Sequence, residues 1–269
     1  RRVEIFNTGM VGEAFFGSDG IEFARGERVL VEDCYVHDNG GDGIDLGSRD
    51  REGHSTGIIV RNNRVGRNRL NGIKLWAGGR IENNLLWGQG DSAIWSGSFD
   101  CTIEIIHNKV AFNMWDAQYA NRNWAVVVGY PEEISRPVVQ LTMVNNIFAF
   151  NADPLEGGPT GVYLGPGVSF VEGHNIYFSN PEEEITLGTG DGIGFSREDI
   201  RSGRWGVETG QGEGNVVENP FFTSGWPDVD LHLLPGSPAL DAGSFSYGAL
   251  HDIDGKMRDT FPNMGAYEE

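Results

Sequence analysis

The sequence predicts an all-β chain: a single-stranded right-handed parallel β-helix, a solenoid of roughly eight or nine coils with a C-terminal capping segment. Three observations predict it. A five-residue phrase recurs as DGIEF (19–23), DGIDL (42–46) and NGIKL (71–75), and continues through SAIWS (92–96), WAVVV (124–128) and TGVYL (160–164), with DGIGF (191–195) as a last copy. A second phrase alternates with it, as VEDCYVHDN (31–39), VRNNRVGRN (60–68), IENNLLWGQ (81–89), IIHNKVAFN (105–113), MVNNIFAFN (143–151) and GHNIYFSN (173–180). Glycine supplies 40 of the 269 residues, so the chain turns often and is not mainly helical.

The spacing selects the architecture. Aligning the second phrase puts Cys34, Asn63, Asn84, Asn108, Asn146 and Asn175 in one column, at intervals of 29, 21, 24, 38 and 29 residues. A propeller blade needs about 40 residues and four strands, and a leucine-rich repeat needs its leucine ladder. Two strands and two turns per unit, stacked at about 4.8 Å per coil, suit a parallel β-helix. The Asn column reads as inward-turning amides that bond to one another and to turn backbone. Cys34 lies in that column and Cys101 three coils away, too far for a disulfide.

Side chains alternate along a strand, so in G-I-x-L the Ile and the Leu or Phe face the core and x faces out. Ile21, Ile44, Ile73, Ile94, Val126 and Val162 therefore form an inner stack, and Glu22, Asp45, Lys74, Trp95, Val127 and Tyr163 an outer column. Outward Trp76 and Trp95 make an apolar strip that needs covering. The long interval after Asn108 inserts NMWDAQYANRN (113–123) and YPEEISRP (130–137), loops able to wall one end of a groove. His54 reads as a turn residue; His37, His107 and His174 fall on or beside the ladder and read as structural.

Residues 1–195 form the coils, and 196–269 a C-terminal coil and cap of the same domain. SREDIRSGRWG (196–206) starts a short helix, with Ser196 as N-cap and Asp199 in its first turn. The stretch from there to LHLLPGSPALDAG (231–243) and HDIDGKMRDTFPNMGAYEE (251–269) closely resembles the C-terminal segment of many secreted right-handed parallel β-helix proteins of the pectate-lyase-like superfamily. Such a tail blunts an open sheet edge.

Charge narrows the partners. Twenty Lys and Arg against 39 Asp and Glu give a formal charge of −19, which repels phosphate backbones and anionic membranes, so nucleic acid is not an expected partner. An acidic ligand is still accessible if a divalent cation inverts the local field. No apolar run reaches membrane-spanning length. The expectation is a secreted or cell-surface, bacterial-type monomer that has lost some N-terminal sequence.

The chemistry concentrates in consecutive coils, which offer Asp19 and Glu22, Asp42 and Asp45, then Asn71 and Lys74. Clustered carboxylates repel one another and gain most when a cation joins them; calcium, which takes oxygen ligands in flexible geometry, is the natural choice. NGGDGIDL (39–46) and NGIKLWAGG (71–79) resemble the calcium-dependent family-nine pectate lyases. The resemblance implies Asp19, Asp42 and Asp45 as Ca²⁺ ligands and Lys74 as the base. Gly41 stands where that family has the first of two paired aspartates, a loss that Glu22 could compensate. It further implies β-elimination on an acidic polysaccharide: Ca²⁺ bridges the carboxylates and Lys74 takes the C5 proton as the C4–O bond breaks. Carboxylate neighbours raise the pKa of Lys74 in the metal-free protein. Arg49, Arg69 and Arg80 are candidates for holding carboxylates in flanking subsites, and Trp76 and Trp95 for stacking on sugars.

Each feature has a plainer reading. Lys74 and Asp45 make a cross-strand ion pair on a packed sheet, and the Asp cluster is solvated surface. Two further functions share the fold: a polygalacturonase-like hydrolase using paired carboxylates, of which GHS (53–55) is a faint trace, and a non-catalytic glycan-binding or surface module. A C5-epimerase would begin with the same proton abstraction.

Overall fold

The computed structural model describes residues 2–9, 18–47, 57–97, 99–113, 124–129, 138–151, 161–178, 185–190 and 192–269. The inserted loops at 114–123 and 130–137, Arg49 and His54 lie outside them.

Each coil carries three strands rather than the expected two. One coil runs Gly79–Glu82, Leu85–Trp87 and Ile94–Ser96; the next runs Cys101–Ile106, Lys109–Ala111 and Val126–Val128. Like strands pair in parallel from coil to coil, giving sheets of six, seven and eight strands. The eight-stranded sheet keeps the anticipated register: Ile21 pairs with Ile44, Ile44 with Ile73, Ile73 with Ile94, Ile94 with Val126, and Val126 with Val162. The next strand is Ile185–Thr189, with Leu187 opposite Val162. DGIGF is no further copy, since Gly194–Ser196 turns back antiparallel to that strand.

The second phrase hides two strands because one residue bends the chain between them. Asp33, Asn62, Asn83, His107, Asn145 and His174 have φ of 51–63°, in the left-handed region that Asn, Asp and His tolerate best. The following residue then turns inward and builds the ladder. Cys34 N donates to Asn63 Oδ1 (2.9 Å), Asn63 N to Asn84 Oδ1 (3.0 Å), Asn84 N to Asn108 Oδ1 (2.9 Å), Asn108 N to Asn146 Oδ1 (2.9 Å) and Asn146 N to Asn175 Oδ1 (2.8 Å). Asn215 adds a rung, accepting from Asn175 N at 2.9 Å.

Five residues on, at the next corner, stands a second ladder that the sequence reading passed over. Asn39, Asn68, Gln89, Asn113 and Asn151 are joined by the same backbone-to-side-chain bonds, 3.1–3.2 Å long. Both ladders satisfy buried turn backbone, and orphaning one such buried group costs about 1–3 kcal/mol. Aliphatic side chains fill the space between the sheets, from Val36 and Ile44 at one end to Leu187 and Phe195 at the other.

The C-terminal part has two jobs rather than the single edge-blunting one. Helix α1 (Arg197–Arg201) is capped by Ser196, whose side chain takes the Asp199 N–H while Asp199 returns the contact to the Ser196 backbone. Helix α2 (Arg204–Thr209) lays the buried Trp205 over the end of the core, against Phe170 and Phe195. The rest of the tail lies along the outer face of the seven-stranded sheet. There Leu231, Ile253 and Tyr267 pack on Leu85, Ala111 and Phe112, and Leu233, Ala239 and Met264 on Ile147, Ala149 and Ile176. No helix of the described residues is long and apolar enough to cross a membrane.

Candidate functional site

The eight-stranded sheet assembles the site through register alone. Ile44–Leu46 and Ile73–Leu75 pair so that Asp45 faces Lys74 on the outer side, and Asp42 sits in the turn that leads into the first of them. Lys74 Nζ donates to Asp42 Oδ2 at 3.0 Å and to Asp45 Oδ2 at 2.9 Å. All three side chains are largely buried: 17% of Lys74, 4% of Asp42 and 13% of Asp45 remain exposed, so this pair is shielded from the solvent screening that weakens surface ion pairs.

The remaining carboxylate oxygens are committed to positioning. Asp42 Oδ1 accepts the backbone and side-chain N–H of Asn71, both at 2.8 Å; Asp45 Oδ1 accepts Trp76 Nε1 at 2.8 Å; Asp19 Oδ1 accepts the Asp42 N–H at 2.6 Å. A third column thus runs up the stack beside the two Asn ladders, with opposite polarity. In the ladders a backbone N–H donates to the side chain of the following coil, whereas here it donates to the coil before. The Lys74 ammonium also lies 4.6 Å from the Trp76 ring centroid and 5.9 Å from that of Trp95, inside cation–π range.

The electrostatics follow from burial and crowding. Burial and the neighbouring Asp42 push the Asp19 carboxyl up. Burial is also the main force on Asp45, and with Asp42 beside it outweighs Lys74, holding that carboxyl up at about 6. Burial pulls the Lys74 ammonium toward its neutral form, but Asp42 and Asp45 win and raise its pKa above the ordinary lysine value, the direction the sequence implied.

The sequence-derived candidates divide. Asp19, Asp42 and Asp45 present oxygens within 4.8 Å of one another. Glu22 pairs in register with Asp45 but is exposed and falls outside that group. Trp76 touches both Asp45 and Lys74. Trp95 is aligned with Lys74, yet its side chain is fully buried, packed edge-on to Trp76 at 5.1 Å, so it cannot stack on a sugar in this conformation. An outward strand position predicts exposure only where nothing lies over it. Val127, next in the column, is buried as well. Arg80 belongs to the six-stranded sheet and is engaged by Glu82 and, at 3.0 Å, by Glu104. Arg69 lies in the turn between the seven- and eight-stranded sheets, its N–H donating to Asn39 O at 3.0 Å.

The donor set fits a hard cation. Each carboxylate keeps one oxygen beyond its positioning bonds, and the buried Asn71 Oδ1, next to Asp42, has no hydrogen-bond partner among the described residues. Lys74 now occupies two of those oxygens, so a metal and the ammonium compete for the same carboxylates.

Residues 4–114, the stretch that contains this site, match the family model described as the right handed beta helix region. No curated protein and no solved structure matches the chain. With its parallel sheets stacked coil on coil, the chain folds as a right-handed parallel β-helix.

Proposed function

We propose that the protein is a carbohydrate-active enzyme that cleaves a uronate-containing polysaccharide by β-elimination, with Lys74 as the base. The observation that carries this reading is Lys74 Nζ held within 3.0 Å of two carboxylates, in a group of three whose oxygens lie within 4.8 Å of one another. A lysine built only for a surface ion pair needs neither the burial nor the third carboxylate. Asp19, Asp42 and Asp45 are the residues that would hold Ca²⁺. The ion, when bound, supplies positive charge that acidifies the proton at C5 of a uronate.

Lys74 is an ammonium while both carboxylates hold it, and becomes a base once they are otherwise engaged. Neutral Lys74 takes the C5 proton; the C–H pair forms the C4=C5 double bond, the C4–O bond breaks, and the departing oxygen is protonated from solvent. Trp76 and Asn71 keep Asp45 and Asp42 oriented throughout.

One observation favours a second reading, hydrolysis: a carboxyl held at about 6, Asp45, beside a second carboxylate suits general acid–base work. One oxygen from each carboxylate lies within 4.8 Å of the others, closer than the roughly 6.5–9.5 Å of an inverting pair and near the roughly 5–5.5 Å of a retaining one, so the spacing counts against an inverting hydrolase only. The test is absorbance at 235 nm over pectate, alginate and glycosaminoglycan substrates, with calcium and with chelator. A calcium-dependent rise abolished by Lys74→Ala is the expected result. New reducing ends without that absorbance would transfer the reading to the hydrolase; neither signal on any substrate would leave a glycan-binding module.

A further inference from the structure

Around the corner from Lys74 the chain leaves the eight-stranded sheet through Trp76 and Ala77 and enters the six-stranded sheet at Gly79–Glu82. An open depression of about 530 Å³ lies there, lined by Ala77, Gly78, Arg80, Asp100, Thr102 and Glu104 among others. It starts one residue past the indole that hydrogen-bonds Asp45.

We infer that this depression is a saccharide subsite for a neutral sugar, a reading that rests on the proposed cleavage of a polysaccharide at Lys74. Arg80, anticipated as a clamp for substrate carboxylates, is already paired on both sides, with Glu82 and with Glu104 at 3.0 Å. The lining itself carries Arg80 against Asp100 and Glu104, a net charge of 1 − 2 = −1, which opposes a uronate and tolerates an uncharged ring.

The free hydrogen-bonding atoms match a diol. Among the described residues, Arg80 Nη2 and Glu104 Oε1 have no hydrogen-bond partner, although Nη1 and Oε2 of the same groups are bonded to each other, and the Thr102 hydroxyl stands exposed beside them. A donor fork and a carboxylate acceptor side by side bind adjacent hydroxyls in both senses: one hydroxyl accepts from the guanidinium and the other donates to the carboxylate. The partly exposed apolar lining, Ile59 and Ala77, suits the C–H face of a ring. The substrate would then carry neutral sugars, in the backbone or as a branch, next to the uronate cleaved at Lys74.

The experiment is backbone-amide NMR of the whole chain, titrated with neutral galactan, arabinan and xylan oligosaccharides and with an oligogalacturonate. A neutral oligosaccharide is expected to shift Gly78–Arg80 and Thr102–Glu104. Glu104→Gln should weaken that binding about tenfold, and Thr102→Phe, a change at an exposed position, should block it by filling the depression. Shifts confined to other regions, no shift with any neutral sugar, or tighter binding of the uronate oligomer at these amides would each overturn the inference. The readout is independent of turnover: loss of the 235 nm product with these shifts intact refutes the cleavage at Lys74 and leaves the sugar site standing.

Discussion

Two lysines occupy equivalent outward positions on neighbouring sheets and meet opposite fates. Lys74, on the eight-stranded sheet, sits between Asp42 and Asp45 and holds its proton more tightly than an ordinary lysine. Lys109, on the seven-stranded sheet, stands in a row with Leu85 and Ile147, is fully buried under the tail, and donates to one carbonyl, Leu231 O, at 2.9 Å with the Tyr267 ring 4.7 Å away. Burial drives its pKa down to about 7, Glu269, Asp230 and Asp252 opposing and Arg258 assisting. Strand position makes a lysine outward-facing; what lies over it decides its charge. Carboxylates in contact hold the Lys74 value above that of an ordinary lysine, whereas burial against a single carbonyl lets the Lys109 value fall to about 7.

The comparison breaks most sharply at Lys74→Arg. A guanidinium preserves the positive charge between Asp42 and Asp45 but cannot deprotonate, so the melting temperature should move by only a few degrees while the 235 nm rate falls about 10²–10⁴-fold. Retained activity would remove Lys74 from the role of base and leave it a structural ion pair.

Lys109 makes the complementary prediction through stability. Its folded pKa of about 7 lies below the ordinary 10.5, so the unfolded chain binds the proton more strongly and stability rises with pH across that window. The sign is fixed: the contribution is complete above about 10.5, is lost as pH falls toward about 7, and is absent below. The shift corresponds to at most about 4–5 kcal/mol. Urea unfolding from pH 7 to pH 10 should show the gain in the wild type, and Lys109→Met should flatten it. An unchanged slope in the variant would mean that Lys109 stays charged under the tail.

The two lysines also mark what the sequence could disclose. Glu22, Asp45, Lys74 and Trp95 were readable as one row because a parallel β-helix repeats its register at every coil, and the first Asn ladder because its residue hardly varies. The second ladder was present in the same phrases, in the terminal Asn39, Asn68, Gln89, Asn113 and Asn151; the sign overlooked was the residue before each corner, which takes a positive φ whether it is Asp38, Arg67 or Phe112. Three strands read as two because of the other corner, at Asp33, Asn62 and Asn83, which bends the chain inside the second phrase. The Asp–Lys constellation was legible because its members are nearest neighbours in register. The burial of Trp95 and Lys109 was not, since the covering of an outer face is contributed by residues far away in the chain: Lys109 lies 122 residues from the carbonyl that accepts its hydrogen bond. Arg80 lies apart from the Asp–Lys constellation for a related reason, as six residues past Lys74 the chain has already turned onto the six-stranded sheet.

The finest test of the Lys74 environment separates the two things Trp76 does. Its indole N–H holds Asp45 Oδ1 at 2.8 Å, and its ring lies 4.6 Å from the ammonium. Trp76→Phe removes the first and keeps an aromatic face for the second, so it should cost about 1.5–3 kcal/mol in chemical denaturation, the usual worth of a hydrogen bond to a charged group. Trp76→Leu removes both and should cost about 0.5–1 kcal/mol more, the share of a cation–π contact at a partly exposed site. If Trp76→Phe matched the wild type while Trp76→Leu did not, the ring alone would hold the site and Asp45 would be oriented by Lys74. Lys109 admits no such division: Tyr267 gives it a ring, and, among the described residues, the one hydrogen bond of its ammonium ends on a backbone carbonyl that no side-chain substitution removes.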